Sequence, residues 1–233
     1  MALATILPGA FAFMILSPSP ALDAPTVRLP GPSHDSGTSV EKALSERRSV
    51  RSYSGQPLTL AEVSRLLWAA QGVTDGRGLR TAPSAGALYP LEVYVAAGDV
   101  RGLPAGVYRY KPGPHALERV KEGDARAGLA REALGQESIR TGAIDIVIAG
   151  VYERATGKYG ARLHDERTGS SYPAGVRYVH MEAGHASQNV YLQAESLGLG
   201  TVAIGALSDG DVRQIMGMMD DERPLYIMPV GRK

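Results

Sequence analysis

Residues Ala143 to Val151 read AIDIVIAGV, and this nearly unbroken run of apolar and β-branched residues constrains the fold more than any other stretch. A strand with one wet face alternates in polarity. A continuous run predicts a strand buried on both faces, which needs a covering layer on each side. At 233 residues the chain can build one such domain around a sizeable core, and its length does not demand two. The 28 glycines and 15 prolines indicate many tight turns between short elements, placing the chain among single-domain α/β or α+β proteins.

The flanking patterns agree. Leu91 to Ala97 alternates as a strand, Gly106 to Tyr110 and Ala116 to Val120 form a hairpin across Pro112-Gly113, and Pro224 to Val230 is a last strand. Thr38 with Glu41 predicts a capped helix carrying Val40, Ala43 and Leu44. Thr59 with Glu62 predicts a second, with Leu60, Val63, Leu66, Leu67 and Ala70 on one face, Gly72 as its stop and Trp68 in core or interface. Asp124 caps a helix ending near Leu134-Gly135, Glu182 to Leu197 is a long helix ending at Gly198, and Ser208 with Asp211 caps the last. Gly198 to Gly205 is glycine-rich but has a helix before it and a strand after, the reverse of a dinucleotide fingerprint.

The N-terminal region, residues 1–37, is set apart. Ala2 to Leu16 is uncharged and apolar, with a small-residue pattern at Ser19-x-Ala21. It is too short for a membrane span, lacks a preceding Lys or Arg, and is broken by Pro8-Gly9. We read the chain as cytoplasmic, with export by a signal peptide as the alternative. Pro25 to Gly37 is an extended Pro/Gly/Ser arm leading into the domain at residues 38–233. A net charge of +1 gives no bulk electrostatic case for nucleic acid, and the absence of cysteine removes disulfides, thiolate metal sites and cysteine nucleophiles. His180 and His185 are five apart with no acid completing a set, so no metal site is expected.

Three stretches carry chemistry. Glu46 to Tyr53, ERRSVRSY, puts three guanidiniums and serine hydroxyls at a helix end, suited to a phosphate through charge-assisted hydrogen bonds. On the residues alone, a solvated basic helix end favoured by the macrodipole is equally open. Thr81 to Pro90, TAPSAGALYP, is a loop of small residues that lets backbone approach a flat ligand. Lys158-Tyr159-Gly160 by itself reads as surface, because lysine is rarely buried unpaired.

Together, RRSVRSY, PSAGALYP, EAGHASQN and the terminal PVGRK resemble the nitroreductase-like flavoproteins, and within them the SagB/ThcOx-type branch containing the azoline dehydrogenases. The resemblance runs from about Leu29 to Lys233. It implies an α+β fold with a mostly antiparallel central sheet flanked by helices, and an intertwined homodimer with FMN at the interface, the helix from Glu182 being the central dimer helix. Arg47, Arg48, Ser49 and Arg51 correspond to the phosphate and pyrimidine contacts, and Pro83, Ser84, Ala85 and Gly86 to the stretch against the flavin. Ala203, Ile204 and Gly205 correspond to backbone beside the ring, Arg232 to a terminal basic residue for the phosphate, and Gln188 to a further flavin contact. Ala87 stands where many nitroreductases carry a flavin-contacting asparagine, a departure that favours the SagB/ThcOx-type branch.

Lys158 and Tyr159 match the catalytic pair of azoline dehydrogenases, where a base takes a proton while the flavin N5 takes hydride. Residues 161–174 depart from that pattern as an inserted charged loop, able to act as a lid, to set substrate choice, or to displace the pair. The resemblance thus implies an FMN-dependent dehydrogenase acting on a small molecule or peptide. The alternatives are an NAD(P)H-dependent nitro or quinone reductase, and a flavin- or partner-binding subunit without turnover.

Overall fold

The computed structural model describes residues 25–233, so the apolar run from Ala2 and the pattern at Ser19-x-Ala21 lie outside the described residues. The arm holds a short strand, β1 (Thr26–Arg28), and then α1 (Val40–Glu46). The cap of α1 is Ser39, whose hydroxyl accepts from Lys42 N–H, and this corrects the assignment to Thr38 one position earlier. The apolar stripe of α1 is also largely outside, with Ala43 buried while Val40 and Leu44 are exposed. Strand β2 (Leu58–Thr59) leads into α2 (Leu60–Gln71), where Thr59 and Glu62 form the reciprocal capping box that their spacing predicts.

A tight 3-10 turn at Ala85–Ala87 precedes β3 (Leu91–Ala97), β4 (Val100–Arg101) and the hairpin β5 (Gly106–Lys111) with β6 (Ala116–Glu122). Two short helices, α3 (Arg126–Glu132) and α4 (Glu137–Thr141), bring the chain to β7 (Ile144–Val151). After β7 come α5 (Tyr152–Thr156), β8 (Arg162–His164), β9 (Ser171–Pro173) and the 23-residue α6 (Ala174–Ser196). The chain closes with β10 (Leu199–Thr201), α7 (Asp209–Met216) and β11 (Glu222–Arg232).

Seven strands pair in the order β1-β6-β5-β3-β7-β11-β10, every pair antiparallel. All eight residues of β7 are buried, and they divide by parity as a two-faced strand must. Ile144, Ile146 and Ile148 join the core under α2 and α6, with Val63, Leu66, Val179 and Val190. Val147 and Ala149 join the opposite core under α3, α4 and α7, with Leu129, Ile139, Val212 and Met216. This is the α+β arrangement, a central antiparallel sheet flanked by helices. Asp145, on the second parity with Val147 and Ala149, is fully buried with neither carboxyl oxygen hydrogen-bonded.

Two elements differ from the sequence reading near the chemistry. The inserted residues 161–174 are not an irregular loop, since β8 and β9 pair as a short hairpin around the Asp165 to Gly169 turn. Helix α6 starts at Ala174, eight residues before Glu182. Its start is pressed onto α5: a Cβ at Gly175 would lie 2.7 Å from the Ala155 and Thr156 backbone, so only glycine allows this approach. Gly175 N–H then donates to the Tyr159 carbonyl at 2.9 Å, fixing the segment that carries Lys158 and Tyr159.

Candidate functional site

The arginine motif follows α1 and is laid against β10, with Val50 N–H donating to the Thr201 carbonyl at 2.9 Å. Tyr191 of α6 is its hub. The Tyr191 hydroxyl is 3.1 Å from Ser49 Oγ and accepts Ala203 N–H at 2.8 Å, while the Arg47 guanidinium lies over its ring, 5.1 Å from the centroid. Arg48 turns back onto the Ser45 and Arg47 carbonyls, and Arg51 is exposed. Among the described residues, none of these three arginines pairs with a carboxylate. The hydroxyl of Thr201, buried beside them, has no hydrogen-bond partner. Unneutralised guanidiniums, adjacent hydroxyls and an orphaned buried donor fit the demands of a phosphate.

The other candidate cofactor residues divide around this group. Ala203 belongs to it through Tyr191. Ile204 has its N–H and carbonyl committed to Ile227, at 2.9 Å each, and its side chain in the core, whereas Gly205 is exposed. Gln188 is half-buried, one turn before Tyr191 on α6. The Arg232 guanidinium is held by Glu62, at 2.9 and 3.0 Å from its two oxygens, so its charge is already partnered.

A second group gathers near the start of α6. Its centre is the turn at Pro83, Ser84, Ala85 and Gly86. A Cβ built on Gly86 would stand 2.8 Å from Lys158 Nζ and 2.8 Å from the Tyr159 hydroxyl, so the tip of the turn abuts both proton-bearing atoms. Gly86 has φ 63° and is exposed, which leaves its open face beside the pair. Lys158 also lies over the Tyr159 ring, 5.6 Å from the centroid. On the other side, Arg154 of α5 donates to the Tyr89 carbonyl at 3.2 Å and pairs with Glu92 at 2.6 Å. The hairpin β8–β9 and the exposed face of α6 border an open depression of about 440 Å³ lined by Tyr172, Val176, Arg177, His180 and Met181.

The two groups hang on different parts of α6. Glu182, which contacts the turn, and Tyr191 are nine residues apart, two and a half turns: roughly 13 Å along the axis and on opposite faces. Within one chain the two groups therefore stand apart, on opposite faces of α6. Three residues absent from the sequence-derived set organise them: Tyr191, Tyr178, whose ring packs edge to face on that of Tyr159, and Glu182, whose carboxylate accepts from the Ser84 hydroxyl and Ala85 N–H. Their signal was faint, a single carboxylate and two aromatics in a helix otherwise marked by small residues. Among the described residues there is no group of three or more His, Cys, Asp or Glu able to hold a metal, and no helix long and apolar enough to cross a membrane. His180 bonds instead to the Tyr152 hydroxyl at 2.6 Å.

The model of the Nitroreductase family matches residues 44–232. The chain belongs to the nitroreductase family. A Methanocaldococcus jannaschii protein provisionally named a nitroreductase is 50% identical over 194 residues, 83% of this chain and 91% of that protein. The Escherichia coli microcin B17-processing protein McbC is 31% identical over 184 residues, 75% of this chain but only 62% of McbC. Among solved structures, a nitroreductase-type protein of Ralstonia eutropha JMP134 superposes with a TM-score of 0.73 at 32% identity, over 89% of each chain. The E. coli microcin synthetase McbBCD complex with truncated pro-MccB17 bound gives 0.66 at 27%, over 88% of this chain and 76% of that one. Membership brings an oxidoreductase class, and two relatives of this chain are named for microcin B17 and trifolitoxin processing.

Proposed function

We propose that this nitroreductase-family chain is an FMN-dependent dehydrogenase of the SagB/ThcOx type, oxidising a C–H/N–H or similar ring bond of a heterocyclic small molecule or peptide. The observation that carries the reading is the convergence of Lys158 Nζ and the Tyr159 hydroxyl on Gly86 of the Pro83–Gly86 turn. Arg47, Ser49 and Arg51, with Thr201 beside them, would hold the FMN phosphate, and Gly86 and Gly205 leave room for its ring. FMN, when bound, supplies a two-electron hydride acceptor. Tyr159, seated by Tyr178, or Lys158 beside it would take the substrate proton. Two partial sites on opposite faces of α6 favour a homodimer, in which each complete site combines the arginine group of one copy with the turn of the other. The exposed hairpin β8–β9 stands where it can select the substrate. The McbBCD neighbour favours a further partner subunit for a peptide substrate.

The test is the visible spectrum of the purified protein, followed by anaerobic NADPH addition. Flavin bands released as FMN on denaturation support the reading, and a colourless chain that refuses FMN sinks it. The 50% identity to the M. jannaschii protein favours a second reading, an NAD(P)H-dependent nitro or quinone reductase in which Lys158 and Tyr159 are bystanders. Rapid bleaching by NADPH, with turnover retained in a Lys158→Ala/Tyr159→Phe double variant, selects it.

A further inference from the structure

Helix α6 reaches the Lys158–Tyr159 pair from two points one turn apart. Tyr178 packs edge to face on the Tyr159 ring, centroids 5.1 Å apart at 85°. Four residues on, hence on the same helix face, Glu182 is 4% exposed. Its Oε1 accepts Ala85 N–H at 2.9 Å and the Ser84 hydroxyl at 3.0 Å. Ser84 Oγ itself accepts Tyr89 N–H at 2.8 Å, so one carboxylate oxygen secures both ends of the turn. That turn is strained: besides Gly86, the non-glycine residues Ala87 and Tyr89 have φ of 54° and 46°. Such backbone persists only where its surroundings over-determine it.

Keeping a carboxyl here has a cost. Burial raises the Glu182 pKa, opposed by Ala85 N–H, the Ser84 hydroxyl and nearby His185. A buried acceptor is tolerated when donors converge on it, and here both donors belong to the turn.

We propose that Glu182 is a positioning residue for the Lys158–Tyr159 pair: it holds the Ser84–Tyr89 turn from the helix face on which Tyr178 holds Tyr159. The glycine tip and the two proton-bearing atoms thereby keep one relative geometry. This rests on the functional reading above, and Glu182 itself touches no reacting atom.

The test uses the full chain labelled with 3-fluorotyrosine and followed by ¹⁹F NMR, with Tyr159 assigned through Tyr159→Phe. Tyr94, whose hydroxyl bonds Glu222 in the core at 2.6 Å, is the control for folding. Glu182→Ala is expected to shift the Tyr159 resonance towards that of free fluorotyrosine while Tyr94 stays in place. Glu182→Gln, which keeps an acceptor oxygen, is expected to restore the wild-type position. An unmoved Tyr159 resonance in Glu182→Ala, with Tyr94 intact, overturns the proposal. If Glu182→Ala does not fold, Ser84→Ala removes one donor and must shift Tyr159 in the same direction; no shift there overturns it equally. FMN titration of the same samples separates the two levels. A wild-type chain that binds no FMN defeats the functional reading, while the fluorine shift decides the role of Glu182 by itself.

Discussion

Gly86→Ala tests the central juxtaposition without knowledge of the substrate. The new Cβ would lie 2.8 Å from both Lys158 Nζ and the Tyr159 hydroxyl, so each must retreat by roughly 0.7 Å to reach ordinary contact. The backbone contributes a first cost, since alanine at φ 63° is strained by about 1–2 kcal/mol. The clash contributes a second. Lys158 is exposed and moves cheaply, whereas Tyr159 is seated against Tyr178 and must leave its rotamer, at about 0.5–1.5 kcal/mol. The sum is about 1.5–3.5 kcal/mol, and a domain of this size loses roughly 2–4 °C per kcal/mol, so Tm should fall by roughly 3–14 °C. The assay is thermal melting of the variant alone and in a Tyr159→Phe background, where the hydroxyl is gone and only the backbone share should remain. Equal penalties in the two backgrounds would show that the Tyr159 hydroxyl does not stand over Gly86, and the reasoning would fail. If the pair is catalytic, its displacement should also lower turnover on the order of 10–100-fold.

Further expectations are open to direct measurement. Arg47→Ala should weaken FMN binding about 10–100-fold, the worth of a charge-assisted phosphate contact, but leave riboflavin binding unchanged; an equal loss for riboflavin would remove the phosphate role. Burial holds the Asp145 carboxyl well above its ordinary value of 3.8, so the folded chain binds the proton more tightly than the unfolded one. Wild-type stability should therefore decline as pH rises from about 3.8 towards the folded value, by up to ~1.4 kcal/mol per pH unit, and Asp145→Asn should escape that decline. A stability difference between the two that is flat from pH 4 to 8 would refute it. For Glu62, burial is outweighed by Thr59 N–H, the Thr59 hydroxyl and Arg232, which hold its carboxyl below the ordinary value. Its contribution is present above the unfolded value and lost as pH falls through the folded one, so Glu62→Gln should cost about 1 kcal/mol at pH 7 and progressively less in acid.

Much of the architecture was legible because its causes are local. The apolar run at Ala143–Val151 and the Thr59–Glu62 capping box each act over a few residues, and both have their expected form. The misses are local too. Ser39 and Thr38 are both competent caps, and only the backbone dihedrals choose between them. Helix α5 is five residues long, too short to show a period, and the polar insertion before α6 concealed the first eight residues of that helix. The pair at Lys158–Tyr159 stood out only through a family resemblance, since its residue types alone read as surface.

By itself the sequence determined the main strands, the main helices and the chemical types available: guanidiniums, small-residue turn, lysine and tyrosine. These follow from side-chain periodicity, capping and turn preference, which act between residues close in the chain. Tertiary structure decided which of them meet. Ser84, Lys158 and Glu182 come from three distant segments, and they converge because Gly175 lets α6 begin against α5 and because α6 turns one face to the strained turn. The same helix holds Tyr191 and the arginine group on its opposite face, a separation set by helical geometry and packing rather than by any local signal.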